Sequence, residues 1–289
     1  MKTRIITGVI AVPLLLCVLL LAPDWATAIL VGIISIIAAH EMLSASGEKI
    51  KPIIAALAML YAAFITVATY FNWGIVAEVD KTTRQITSIG HVAMYVGMFA
   101  ISAAFLMITA KSFRTGERVM PPLLYAVIGG YAIPLLLSSL ITLRNAENGK
   151  LLVLLPFVSA FITDAGAYFT GVFFGKRKAF PNVSPKKTVE GCIGGIAIGI
   201  AAVIAYGAIA QAVTGVHASF LSLALCGIVG AVATEAGDLA FSLIKRERGI
   251  KDYGKLLPGH GGVLDRFDSM VLAAPAIHLV TLIILPFSA

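Results

Sequence analysis

Charged side chains are scarce in this sequence. Asp, Glu, Lys and Arg make up 13% of its 289 residues, against about 25% in an ordinary soluble domain. So little polar surface cannot cover a water-facing globule, which excludes a typical soluble enzyme. Cysteine is scarce too: Cys17, Cys192 and Cys226 all lie inside apolar stretches and read as small packing residues, which excludes a disulfide scaffold. The high hydrophobicity excludes disorder, and neither an internal repeat nor a low-complexity linker is visible. The sequence also has no GxSxG, HExxH, Walker lysine loop or CxxC pair, so the commonest hydrolase, zincin, P-loop and thiol-redox sites have no anchor.

Apolar residues, by contrast, form 59% of the chain. A spanning helix needs about 20 of them in a row, and nine segments qualify: 5–22, 25–45, 52–71, 91–110, 119–140, 151–174, 191–213, 218–241 and 269–288. The expected fold is therefore an all-α integral membrane protein. Lys2 and Arg4 before the first run resemble a signal peptide, but about 17 apolar residues exceed a usual signal core, so a retained helix is expected. The formal charge of +7, from 22 Lys and Arg against 15 Asp and Glu, points to anionic headgroups or phosphate-bearing substrates rather than nucleic acid.

The positions of the basic residues set the orientation. The N-terminus and the even-numbered gaps between spans hold 18 of them, and the odd gaps hold 4 (Lys81, Arg84, Arg144 and Lys150). The positive-inside rule then places the N-terminus in the cytoplasm and the C-terminus on the opposite side, in a plasma or inner membrane. Residues 1–150 read as five scaffold or dimerisation helices. Residues 151–289 read as the catalytic region, because its two cytoplasmic gaps, 175–190 and 245–268, hold 11 of the 22 basic residues.

A carboxylate in a bilayer costs about 2.5–3.5 kcal/mol on insertion scales, so each one is a functional hypothesis. Asp164, Glu235 and Asp238 qualify, all toward the cytoplasmic half. Glu235, Asp238, Ser242 and Lys245 follow spacings of three, four and three, which align on one helix face. Next comes Pro258-Gly259-His260-Gly261-Gly262, where a backbone rich in glycine can aim N–H groups at phosphate oxygens. Asp265 and Asp268 follow at the expected start of span nine. As hard oxygen ligands they suit Mg2+, and Asp265 with Asp238 could hold a metal between two spans. In the sixth gap, a loop carrying Ser184, Lys186, Lys187 and Thr188 could clamp a polyphosphate, with Gly191, Gly194 and Gly195 allowing tight helix packing after it. A positive-inside loop touching anionic lipid explains the same gap. His40, His91, His217 and His278 show no metal-ligand spacing and read as packing or interfacial residues, whereas His260 suits a phosphate contact.

The 27 residues from Ser242 to Asp268, with Lys245-Arg246, Lys251-Asp252-Tyr253-Gly254 and Leu257-Pro258-Gly259-His260-Gly261-Gly262-Val263-Leu264-Asp265-Arg266-Phe267-Asp268, resemble the signature of phosphatidate cytidylyltransferases, or CDP-diacylglycerol synthases. Asp164 to Tyr168, with Gly171, Gly175-Lys176 and Ser184 to Gly191, is similar to that family's other characteristic stretch. The chain departs from the pattern at Phe241 and Val189, where an acidic and an aromatic residue are usual. The resemblance implies an integral membrane enzyme that condenses CTP with phosphatidic acid at the cytoplasmic face, giving CDP-diacylglycerol and pyrophosphate, and working as a homodimer. It further implies Mg2+ or a similar divalent ion on Asp238 and Asp265, with Asp164 and Asp268 as further candidates and a monovalent ion as a possible helper. Lys186, Lys187, Lys245, Arg246 and Arg266 would then bind phosphates, while Ser184, Thr188 and Ser242 would donate hydrogen bonds. Two alternatives stay open on the residues alone: another CTP-dependent lipid transferase or kinase, and a transporter whose Asp164 and Asp238 carry cations.

Overall fold

The computed structural model describes residues 2–47, 52–71, 122–257, 259 and 261–288. In chain order its elements are α1 (Lys2–Leu20), α2 (Asp24–Ala45), α3 (Pro52–Tyr70), α4 (Leu124–Asn145), α5 (Gly149–Phe174), β1 (Lys178–Phe180), β2 (Ser184–Thr188), α6 (Val189–Thr214), β3 (His217–Ala218), α7 (Phe220–Glu247), α8 (Leu264–Ile283) and β4 (Phe287–Ser288). Among the described residues, α2 to α8 are seven helices long and apolar enough to cross a membrane. Their packing also suits a membrane. On α2 and α3 many of the buried positions are small or hydroxylic, such as Thr27, Ser35, Ala38 and Ala62, while Ile33, Leu57 and Phe64 are exposed. Helices in lipid associate through close small-residue contacts, and their outward faces stay apolar.

Eight of the nine expected spans appear as helices, while the fourth, 91–110, lies outside the described residues. Several boundaries differ from expectation, and the fifth span ends at Asn145 rather than 140. The eighth span runs on to Glu247, so the stripe from Glu235 to Lys245 does lie on one continuous helix. The ninth begins at Leu264 and ends at Ile283 rather than 288. Pro286, which has no N–H to extend the helix, instead accepts from Ser219 N at 2.9 Å, and β4 pairs antiparallel with β3. The sixth gap, expected as a loop, contains the antiparallel hairpin β1–β2.

The chain divides into two compact units. The first comprises Met1–Asn145 with Ile244–Phe267. In it α2 and α3 are antiparallel, with Gly32 facing Thr66. The first half of α4 lies against Ala39, Met42 and Ala58 through Gly129 and Gly130, and at its other end Arg144 Nη2 donates to Ala22 O at 3.1 Å. Helices α3 and α4 therefore run parallel: Tyr70 and Pro122 stand at opposite ends of this bundle. Arg248 Nε donates to Ala45 O at 3.4 Å, which ties the segment after α7 to the end of α2.

The second unit comprises Ala146–Leu243 with Asp268–Ala289. Here α5 and α6 pack antiparallel so closely that a Cβ on Gly195 would stand 2.7 Å from the Cβ of Ala167, as Gly191, Gly194 and Gly195 in the first turns of α6 imply. Tyr206 OH donates to Leu151 O at 2.9 Å at one end of the pair. Ser222 Oγ donates to Ile284 O at 2.7 Å, which makes α7 and α8 antiparallel and leaves the start of α8 beside the second half of α7.

Candidate active site

In the second unit the hairpin β1–β2 is fastened at its base. Glu190 Oε2 accepts from Lys176 N at 3.0 Å and Arg177 N at 3.1 Å. Thr188 caps α6, its hydroxyl oxygen accepting from Gly191 N at 3.1 Å, the usual way of satisfying an orphan helix donor. Anchored in this way, the hairpin points Lys187 at α7, where its Nζ lies 2.5 Å from Glu235 Oε2 and 2.7 Å from Asp238 Oδ2. Burial disfavours the Lys187 ammonium, but the carboxylates of Asp238 and Glu235 outweigh that and hold its pKa above the ordinary lysine value. Ser242 Oγ donates to Asp238 Oδ1 at 3.5 Å, one turn further along α7. Asp164, on α5, accepts from Ser269 Oγ at 3.0 Å and lies within electrostatic reach of Asp238, Asp268 and Lys187. Asp268 is buried and holds Ser269 N at 2.9 Å.

The first unit gathers the glycine-rich segment around two other carboxylates. Asp265 Oδ1 pairs with Lys245 Nζ at 3.0 Å, and its Oδ2 accepts from Tyr253 N at 2.8 Å and Gly262 N at 2.9 Å. Lys245 also sits over the Tyr253 ring, 5.3 Å from its centroid. Gly261 has φ +87, a conformation that suits glycine, and its carbonyl accepts from Leu257 N at 2.9 Å to close the turn. The second carboxylate is Glu41 of α2, which the sequence reading missed. Buried, it accepts from Val263 N at 3.0 Å and Leu264 N at 2.8 Å, capping the N-terminus of α8. Gly254 and Gly262 pack against it, and a Cβ at either position would run into its carboxylate. A carboxylate inside the second apolar span was the available signal. Its backbone partners, more than two hundred residues away, were not visible in any spacing.

Around this frame lies a polar cavity of about 540 Å3, lined by Lys251, Asp252, Lys255, Gly259, Gly261 and Arg266 among others. Arg246 and Arg266 are exposed, as is Lys186 on β2, while Ser184 is half-buried. His260 lies outside the described residues. The expected phosphate residues thus fall into two groups, Lys187, Thr188 and Ser242 in one unit and Lys245, Gly261, Gly262 and Arg266 in the other. Lys251 and Lys255 join the second group; the sequence reading gave neither of them a phosphate role.

Among the described residues, no three His, Cys, Asp or Glu side chains converge with metal-binding geometry. The donor chemistry still suits a hard cation. Asp164, Asp238 and Asp268 share one neighbourhood with a single ammonium, that of Lys187, and carboxylate oxygens are what Mg2+ prefers. Asp265 Oδ2 already accepts two hydrogen bonds, so Oδ1, paired with Lys245, is the oxygen with a second lone pair to offer.

The cytidylyltransferase family model matches residues 2–284. The chain belongs to the cytidylyltransferase family. It is accordingly a nucleotidyltransferase, and the match covers α1 to α5 as well as the signature segment. Over 97% of its length the chain is 28% identical to 97% of a phosphatidate cytidylyltransferase of Bacillus subtilis. It is 29% identical over 95% of its length to 96% of one from Haemophilus influenzae. Identity rises to 38% over 51% of this chain and 47% of the phosphatidate cytidylyltransferase of Mycobacterium bovis.

Proposed function

We propose that this membrane cytidylyltransferase condenses CTP with phosphatidic acid, giving CDP-diacylglycerol and pyrophosphate. The observation that carries the reading is the cavity of about 540 Å3 in which Lys251, Lys255 and Arg266 surround a glycine-rich turn. Cations with backbone N–H groups are what a nucleoside triphosphate needs, and the relatives matched over nearly full length act on phosphatidate by name. In the reaction, a phosphate oxygen of the lipid attacks the α-phosphorus of CTP in line. The new P–O bond forms as the α–β bridging bond breaks and pyrophosphate departs. Two polyanions must meet, so the protein's task is charge neutralisation and positioning rather than proton transfer.

Lys251, Lys255 and Arg266 hold the triphosphate, and Glu41 and Asp265 fix the turn that presents them. Lys187 is kept charged and placed by Glu235 and Asp238, ready to contact phosphate; Arg246 and Lys186 add exposed donors and Ser184 a half-buried one. Mg2+ is the proposed cofactor, with Asp238, Asp164 and Asp268 suited to it and Asp265 added on the family resemblance. When bound it would neutralise phosphate charge and stabilise the leaving pyrophosphate. A homodimer, which the resemblance implies, is checked by the mass of the purified protein in detergent.

The nine-span, N-inside arrangement is part of the same proposal. A fourth span between α3 and α4 requires those two helices to run parallel, and they do. The ends of α2 and α7 meet through Arg248 and Ala45, as two cytoplasmic ends would. Purified protein in mixed micelles, given CTP, Mg2+ and phosphatidic acid, is expected to release one pyrophosphate per CDP-diacylglycerol. Nucleotide-independent ion flux through proteoliposomes, with no liponucleotide formed, would overturn the reading.

A further inference from the structure

Residues 250–256 of the first unit border a second cavity, of about 1020 Å3, at the upper end of the roughly 300–1,000 Å3 usual for small-molecule pockets. Its character changes along α2. Ile36 and Ile37, with Met59 of α3, make an apolar wall; His40, one turn on, and then Ser44 bring polar groups to the end of the helix, where Lys251 and Lys255 close the cavity. Glu41 also borders it, but its carboxylate is bonded to the N-terminus of α8. Lys251, Asp252, Gly254 and Lys255 are shared with the polar cavity, whose lining includes none of the α2 or α3 residues. An apolar trough that ends in cations, joined there to a phosphate-type cavity, matches an anionic lipid with its chain inward and its phosphate at the junction.

We infer that this cavity is the phosphatidate subsite, with acyl carbons along Ile36, Ile37 and Met59 and the lipid phosphate between His40, Lys251 and Lys255. This rests on the reaction proposed above and adds where its second substrate lies. Two shared ammonium groups then face the lipid phosphate from one side and the nucleotide phosphates from the other. They offset the repulsion between the two anions and set nucleophile and α-phosphorus within reach of each other. His40 selects for the lipid and not for CTP, because it borders only this cavity.

The test measures KM for CTP, for dioleoyl phosphatidate and for water-soluble dihexanoyl phosphatidate in mixed micelles, using the full chain. Met59→Trp fills the trough. It is expected to raise KM for the dioleoyl lipid about fifteenfold, roughly the loss of two buried methylenes at about fourfold each. KM for CTP and for the dihexanoyl lipid should stay within about twofold of wild type by the same partition. His40→Ala should raise KM for both lipids and leave that for CTP unchanged. Ile37→Phe is the milder filling variant if Met59→Trp does not fold, and Ile53→Trp, exposed on α3 outside the cavity, is the control. A folded filling variant with wild-type chain-length preference, or one whose CTP KM rises as much as its lipid KM, overturns the subsite while leaving the reaction standing. Wild-type protein that forms no CDP-diacylglycerol removes the reaction itself.

Discussion

Glu41 Oε2 accepts a 2.8 Å hydrogen bond from the backbone N–H of Leu264, 223 residues later in the chain. Together with the bond from Val263 N, it fixes the first turn of the helix that carries Asp265. Glu41→Ala leaves two buried donors unpaired and should cost about 1–3 kcal/mol, seen as a fall of about 5 °C in the melting temperature in detergent, with lower kcat. Glu41→Gln keeps one acceptor and should lose less. A wild-type melting temperature for Glu41→Ala would show that the cap carries no weight.

Lys187 bridges Glu235 and Asp238, and anchoring and catalysis can be separated there. Lys187→Met is expected to lower kcat/KM at least about 100-fold, the scale of removing one charge-stabilising donor, and also to destabilise the fold by leaving carboxylates uncompensated. Adding Glu235→Gln should return stability without activity. Recovery of both together would mean that the lysine only holds the hairpin on α7.

The same lysine fixes a pH response. Its folded pKa lies above its ordinary 10.5, so its stabilisation is complete below about pH 10.5 and is lost as pH rises through the higher folded value. Chemical denaturation from pH 8 to pH 12 should show an alkaline loss of stability that is absent in Lys187→Met. An equal loss in both proteins would assign it elsewhere.

Chelation should abolish activity and Mg2+ should restore it. Asp238→Asn should raise the Mg2+ needed for half-maximal rate by about tenfold or more, because a carboxylate ligand becomes a neutral one. Asp265→Asn should also weaken the turn held at Tyr253 and Gly262 and raise KM for CTP. An unchanged Mg2+ dependence in Asp238→Asn would remove that residue from the ion.

Much of the site was legible because it is local. Glu235, Asp238, Ser242 and Lys245 announced one helix face by spacing, and α7 proved continuous through them. The glycines in the first turns of α6 announced its close packing on α5. The β1–β2 hairpin was not legible, since Lys178 to Thr188 has no apolar alternation and its base is held by Glu190, which reads as an ordinary first-turn acid. Glu41 was hidden for a different reason: its partners are backbone N–H groups, which every residue has. Nor did hydropathy reveal that 244–267 packs with the N-terminal helices, because Arg248 to Ala45 and Glu41 to Leu264 are contacts between distant segments.

The direct test of cytidylyl transfer follows phosphorus. Purified protein is given phosphatidic acid and CTP labelled in parallel reactions at its α- or its γ-phosphorus. Label from the α-position is expected in the lipid product, and label from the γ-position only in pyrophosphate. Lipid carrying the γ-label would mean a kinase, and unlabelled lipid in both reactions would mean no transfer at all.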